Sequence, residues 1–129
     1  VPSSSAVAAP VSWPLPLPPP APALRSLVIG IRPPDTAEDA CPDLSAVIVA
    51  NLGEARNAVI VWSADAVIAI GGSWGTLSEI ALAKRRGTIP VITLGGWTIL
   101  AHNGTPLPDP TTPAANPQQA VDLAFAATH

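Results

Sequence analysis

A single cysteine, Cys41, is all the thiol chemistry this 129-residue chain contains. That excludes an internal disulfide framework and any multi-cysteine metal site. Cys41 stands between acidic residues and Pro42 with no histidine near it in sequence, the setting of a spectator loop thiol rather than of an activated nucleophile. The two histidines, His102 and His129, lack metal-ligand spacing, so no metal site is expected. Charge is scarce at 12%, and the net charge of −3 argues against a general nucleic-acid binder, which carries a clustered basic surface. Half of the six basic residues do cluster, at Lys84-Arg85-Arg86. They close a predicted helix, where cations complement the negative end of the dipole. No apolar run reaches the roughly 18 residues needed to span a bilayer. These absences lead to the expectation of a soluble, cytoplasmic protein without a membrane partner. Methionine is absent altogether and the chain starts at Val1, which reads as a trimmed or misread beginning.

What is present is apolar: 48% of the residues are hydrophobic, a core-rich composition in a length suited to one domain. The two ends differ. Residues 1–23 hold eight of the seventeen prolines, among them Pro14, Pro16, Pro18, Pro19, Pro20 and Pro22. Proline has no amide proton and a fixed φ, so polyproline II or disorder is expected there. A basic start is missing and prolines break up the apolar residues, so no secretory signal is expected in this segment. The Pro16–Pro19 spacing leaves an SH3-type ligand as an alternative to a tail or an aberrant segment. Residues 24–129 form the domain proper.

Within that domain, Leu27-Val28-Ile29-Gly30-Ile31 is a short β-branched run stopped by Pro33-Pro34. Residues 45–50, 65–70 and 90–94 are three more, and the last two end directly in glycines. Uninterrupted apolar strands suit a parallel sheet covered on both faces. Helical patterns lie between them. Over 76–86, Leu77, Ile80, Ala81 and Lys84 recur at helical spacing, and Gly87 is placed to end the helix. A second helix spans 117–127, with Pro117 in its first turn. Residues 53–64 are ambiguous, because Val59-Ile60-Val61-Trp62 favours a strand by propensity, but a buried helix joins the flanking strands better. The order strand–strand–helix–strand–loop–helix–strand–helix is α/β.

The third strand runs into Gly71-Gly72-Ser73-Trp74-Gly75-Thr76 and then a helix. Glycines let the backbone approach a ligand closely, and the amides opening the helix have no internal partners. Together they form an anion site, most naturally for a small phosphate-bearing ligand. Gly71, Gly72, Ser73, Gly75 and Thr76 are therefore the binding candidates, with hydroxyl donors from Thr76 and Ser73. The loop is neither a Walker A sequence nor G-x-G-x-x-G, and a tight turn that binds nothing is the alternative. Glu79 has two readings. Thr76-Leu77-Ser78-Glu79 has capping-box spacing, and a carboxylate one turn above a phosphate loop can also face a ribose and serve catalysis. Arg56 opens a predicted helix, where a cation opposes the dipole. It suits pairing with Glu79 or a phosphate, against a surface salt bridge with Glu54 or Asp65. Asn57 can hydrogen-bond a base or ribose, or belong to the turn. Trp74 and Trp97, both beside glycines, can stack on an aromatic ligand or simply pack.

Gly53-Glu54-Ala55-Arg56-Asn57, residues 63–70, Gly71 to Glu79 and Gly95-Gly96-Trp97 closely resemble one Rossmann-fold superfamily. It holds the cytokinin-activating nucleoside-monophosphate phosphoribohydrolases, long misnamed lysine decarboxylases, and the molybdenum-cofactor carrier proteins. The resemblance covers roughly residues 24–127 and implies a Rossmann-like, three-layer parallel sheet. It also implies phosphate binding by Gly72, Gly75 and Thr76, and places Arg56 and Glu79 where family hydrolases cleave the N-glycosidic bond. Ile70 stands where the hydrolases carry a proline, and the wording of the motif is closer to the carrier-like branch. Family members begin with a further strand, helix, strand and helix, so the sheet is expected to be truncated at its N-terminal end, with central strands missing and faces exposed. Relatives are commonly dimers or larger, which implies a homodimer or higher homo-oligomer. Three functions follow: a carrier-like binder of a nucleotide or molybdenum-type cofactor with no cofactor strictly required, a phosphoribohydrolase using Arg56 and Glu79, or an inactive remnant.

Overall fold

The computed structural model describes residues 28–32 and 43–128. The Pro-rich segment, the boundary near residue 24, Cys41 and His129 lie outside the described residues. The element order is β1 (Ile29–Arg32), β2 (Ala46–Val49), a 3₁₀ turn (Gly53–Ala55), α1 (Arg56–Ser63), β3 (Val67–Ile70), α2 (Trp74–Arg86), β4 (Val91–Leu94), β5 (Thr112–Ala114) and α3 (Pro117–Thr128).

The strand pairs among the described residues are parallel, the arrangement that uninterrupted apolar runs suit. β1 pairs with β2 from Ile29–Ala46 to Arg32–Val49. β3, β4 and β5 form a separate sheet in that order. Strand β5 has no counterpart in the sequence reading. It contains Pro113, which cannot donate to a ladder, and it is tolerated because β5 pairs on one side only, with β4.

Side chains alternate across the β3–β4–β5 sheet. Val67 and Val91 meet Val61 and Ala64 at the end of α1 and Ala83 of α2 on one face, with Ile80, Leu82 and Ile89 around them. Ala66 and Ile92 meet Ala120 and Ala124 of α3 on the other, joined by Ile68, Ala114 and Leu123. Helices thus cover both faces, which is the three-layer α/β arrangement. The β1–β2 sheet is not covered in that way: Ile29, Ile48 and Val49 are exposed.

The ambiguous stretch is helical. Ile60 and Val61 are buried while Val59 and Trp62 face outward, so burial of one helical face overrides β propensity. The end of α1 is held by a side chain from the next helix. Arg86 Nη1 donates to the Val61 carbonyl at 2.6 Å and the Ala64 carbonyl at 2.8 Å, satisfying acceptors that a helix end leaves open. Its guanidinium lies 5.1 Å from the Trp62 ring centre. Lys84 pairs with Asp109 and donates to the Pro110 carbonyl, both at 3.0 Å. Two members of the basic cluster are therefore structural ties. No helix among the described residues is long and apolar enough to cross a membrane.

Candidate functional site

The loop after β3 is shaped by backbone needs that only glycine meets cheaply. Gly71 has φ 72°, and its amide donates to the Leu94 carbonyl at 3.0 Å, carrying the β3–β4 ladder one step past the strands. Gly96, after β4, has φ 87°, and a Cβ there would fall on the Gly71 carbonyl oxygen. A Cβ on Gly72 would stand 2.8 Å from Cδ1 and Nε1 of Trp97. The two loops thus close against each other through missing side chains. Gly96→Ala is expected to cost about 3 kcal/mol, combining a left-handed backbone with a clash against main chain. Gly95→Ala, where φ is 68° but no atom lies within 4 Å of the added Cβ, should cost about 1–2 kcal/mol. Urea melts of the two variants check the difference.

Helix α2 begins earlier than the sequence suggests. Its N-cap is Ser73, whose Oγ accepts from the Thr76 amide at 3.1 Å. The Ser73 and Thr76 hydroxyls also lie 3.1 Å apart and bond to each other. Thr76 is therefore the third residue of the helix, and the capping-box reading of Thr76-Leu77-Ser78-Glu79 is wrong: Glu79 sits in the second turn, beyond reach of that role. The amides of Trp74 and Gly75 have no hydrogen-bond partner among the described residues. They are the donors an anion would meet.

The buried face of α2 carries Thr76, Glu79 and Ala83. This corrects the expected stripe of Leu77, Ile80, Ala81 and Lys84, of which Ala81 is exposed and the rest half-buried. Polar residues occupy the inward face because they meet polar residues of α1. Asn57, 1% exposed, directs Nδ2 toward Ser78 Oγ at 3.4 Å and Glu54 Oε2 at 3.5 Å. Its Oδ1 is buried without a partner, and so is Oε1 of Glu79. Arg56, half-buried at the start of α1, donates from Nη1 to the Gly53 carbonyl at 3.3 Å. It forms neither the surface salt bridge with Glu54 or Asp65 nor a direct pair with Glu79.

Glu79 is 2% exposed. Burial pushes its carboxyl up from 4.5 to about 7; the Arg56 charge opposes this and the Glu54 charge adds to it. Desolvation outweighs the guanidinium, so near neutral pH the group is shared between its acid and its base form. The structure brings Arg56, Asn57 and Glu79 to one seam between α1 and α2, one turn beyond the loop. Two members of that seam, Ser78 and Glu54, stand outside the site candidates read from the sequence. Glu54 and Asn57 are three apart, so their place on one helical face was the available signal.

Trp74, the first residue of α2, is 78% exposed, and Trp97 is 48% exposed. Their rings meet edge to face with centres 5.0 Å apart and planes at 75°.

A glycine loop opening a helix after a parallel strand is common to many α/β proteins, so geometry alone does not name the family. The model of the SLOG cluster4 family matches residues 21–121. The chain belongs to the SLOG cluster4 family. Its LOG-like, Rossmann-like character is borne out by a solved structure, that of the molybdenum cofactor binding protein from the phototrophic bacterium Rippkaea orientalis. That structure superposes with a TM-score of 0.64 at 33% identity, over 78% of this chain and 62% of the neighbour's. An uncharacterized protein of Archaeoglobus fulgidus is 45% identical over 62 residues, 47% of this chain and 40% of that protein. This SLOG cluster4 chain thus spans less than two thirds of the length of either relative.

Proposed function

We propose that this chain is a carrier-like binder of a small phosphate-bearing ligand, a nucleotide or a phosphate-bearing cofactor, held by the loop from Gly71 to Thr76. The observation that carries the reading is the pair of unpartnered amides, Trp74 and Gly75, opening α2 at the carboxyl end of β3. Ligands of open parallel sheets bind at that end. Phosphate oxygens accept from the two amides, while Gly71, where no atom lies within 4 Å of an added Cβ, leaves the approach open. Ser73 and Thr76 hold the loop in shape through their mutual hydrogen bond. The relationship to a molybdenum cofactor binding protein supports the cofactor arm of the proposal, and the amides fit the phosphate end of such a group. Asn57 and Glu79 offer buried acceptors, which suit hydroxyl or amino donors on the rest of the ligand.

A second reading, hydrolysis of a nucleoside 5′-monophosphate, is favoured by one observation: a buried carboxyl of pKa about 7 beside Arg56. Water adds to the anomeric carbon, the N-glycosidic bond breaks, the departing base takes a proton from the Glu79 carboxyl, and the proton that the added water loses restores that carboxyl. Arg56 orients the ligand. Exposed Ile29, Ile48 and Val49 support a homo-oligomer in either reading.

A thermal-shift titration with inorganic phosphate, ribose 5-phosphate, AMP and molybdenum cofactor tests the proposal. Stabilisation should rise with the logarithm of ligand concentration for at least one phosphate ester. A cooperatively melting chain that none of them shifts would sink both readings. Release of free base from AMP, lost in Glu79→Ala, would select the hydrolase.

A further inference from the structure

We propose that Asn103 is a self-modifying residue: the Gly104 main-chain nitrogen attacks its side-chain amide, Thr105 assists, and the product is aspartate or isoaspartate. The proposal is independent of the ligand reading above.

The chain has four asparagines, Asn51, Asn57, Asn103 and Asn116, and only Asn103 is followed by glycine. The reaction asks three things of its site. The next residue must offer a nitrogen that can lose a proton, a five-membered ring must have room to close, and water must reach it. The other three asparagines each fail one of these. Asn116 precedes Pro117, whose nitrogen carries no proton. Asn57 is 1% exposed. Asn51 precedes Leu52, whose branched side chain crowds the ring. Asn103 and Gly104 are both exposed, and no atom lies within 4 Å of a Cβ added to Gly104.

The turn that carries the pair does more than expose it. The Gly104 amide donates to the Ala101 carbonyl at 2.9 Å, and an antiparallel bridge joins Leu100 to Pro106 behind the turn. Asn103 Oδ1 accepts from the Thr105 hydroxyl at 2.7 Å and from the Thr105 amide at 3.2 Å. Nδ2, the atom that departs, has no hydrogen-bond partner among the described residues. When the Gly104 nitrogen adds to Cγ, negative charge develops on Oδ1, which Thr105 already faces with two donors. Donors set in advance on such an oxygen stabilise the tetrahedral intermediate. The Gly104–Ala101 bond opposes attack by holding the proton that must leave, but a bond at an exposed loop tip is among the first to open.

The atoms balance without a redox step. The Gly104 nitrogen gives its proton to solvent and bonds to Cγ, the Cγ–Nδ2 bond breaks, and ammonia leaves with a proton from water. One water then opens the succinimide at either carbonyl. Isoaspartate routes the main chain through the former side chain and lengthens it by a methylene. The Ala101 carbonyl–Gly104 bond and the Ala101 amide–Thr105 carbonyl bond, at 2.9 and 2.8 Å, then cannot both persist. The loop tip gains a carboxylate and loosens.

Incubation of the full chain in mildly alkaline buffer, followed by peptide mapping and enzymatic methylation of isoaspartate, tests this. The parent should accumulate isoaspartate at 103 while Asn51, Asn57 and Asn116 stay intact. Thr105→Val should slow the reaction about tenfold, less than the roughly 100-fold of a donor in a water-excluded site. Thr105→Ser, which keeps the hydroxyl, should match the parent. A second measurement needs no variant: the folded parent should react at least as fast as the same chain in urea, where Thr105 is not held on Oδ1. Reaction of Thr105→Val at the parent's rate or faster would show that the turn restrains Asn103, and would overturn the proposal. A folded parent much slower than the unfolded chain, or one whose Asn103 outlasts the incubation as Asn57 does, would overturn it too.

Discussion

Gly75→Asp should produce a chain that melts no lower than the parent and yet binds phosphate esters more weakly by a factor of several hundred or more. Gly75 is the second residue of α2. Its backbone is not in the left-handed region, and the nearest atom to an added Cβ is Ser73 Oγ at 3.7 Å, an ordinary contact. Aspartate in a first helical turn gains about 0.3–1 kcal/mol from the dipole, and replacing a helical glycine gains a similar amount. The same carboxylate stands where a phosphate oxygen would meet the Trp74 and Gly75 amides. Two unit charges about 4 Å apart repel by about 4 kcal/mol near a protein surface, close to a thousandfold in affinity. Thermal melts and calorimetry on one preparation separate the two effects. Unchanged binding in a stable Gly75→Asp chain would move the phosphate away from this helix opening, and the proposed function with it.

The second large effect is a pH-dependent stabilisation in Glu79→Gln. The folded-state carboxyl titrates near 7 instead of 4.5 because burial disfavours its charge. A raised carboxyl pKa means that folding favours the protonated form. Its contribution is fully present below pH 4.5, is lost as pH rises through the window from 4.5 to about 7, and stays lost above it. At about 1.4 kcal/mol per tenfold, the loss at pH 8 is about 3 kcal/mol. Glutamine has nearly the same shape and carries no charge at any of these pH values. The variant should match the parent at pH 4 and exceed its stability by about 3 kcal/mol at pH 8, read from urea midpoints at the two pH values. A variant less stable than the parent at pH 8 would mean that Arg56 attraction, not desolvation, governs this carboxyl. The parent's cost of keeping an ionisable group in the seam is what a functional role for Glu79 would explain.

Much of this layout was legible along the chain. The β-branched runs at 45–50, 65–70 and 90–94 contain β2, β3 and β4, and the helix ending at Gly87 stops where its left-handed φ of 73° requires. Strand β5 was not legible, since Thr112-Pro113-Ala114 has little strand propensity and acquires its pairing only from β4. The start of α2 was misplaced by two residues: Ser73 and Thr76 are both good caps in isolation, and the turn after Gly71 decides between them. The partners of Arg86 lie 22 and 25 residues away, and no local pattern announces them.

By itself, then, the sequence determined the parallel α/β order and a glycine loop feeding a helix, because strand propensity, glycine freedom and helix-end amides are properties of neighbouring residues. Only the tertiary structure decided that Glu79 lies buried and titrates near neutrality, that Asn57 keeps an unpartnered oxygen, and that Trp97 rests on Gly72. Desolvation and close approach depend on which helices and loops meet, and residues distant in the chain make those meetings.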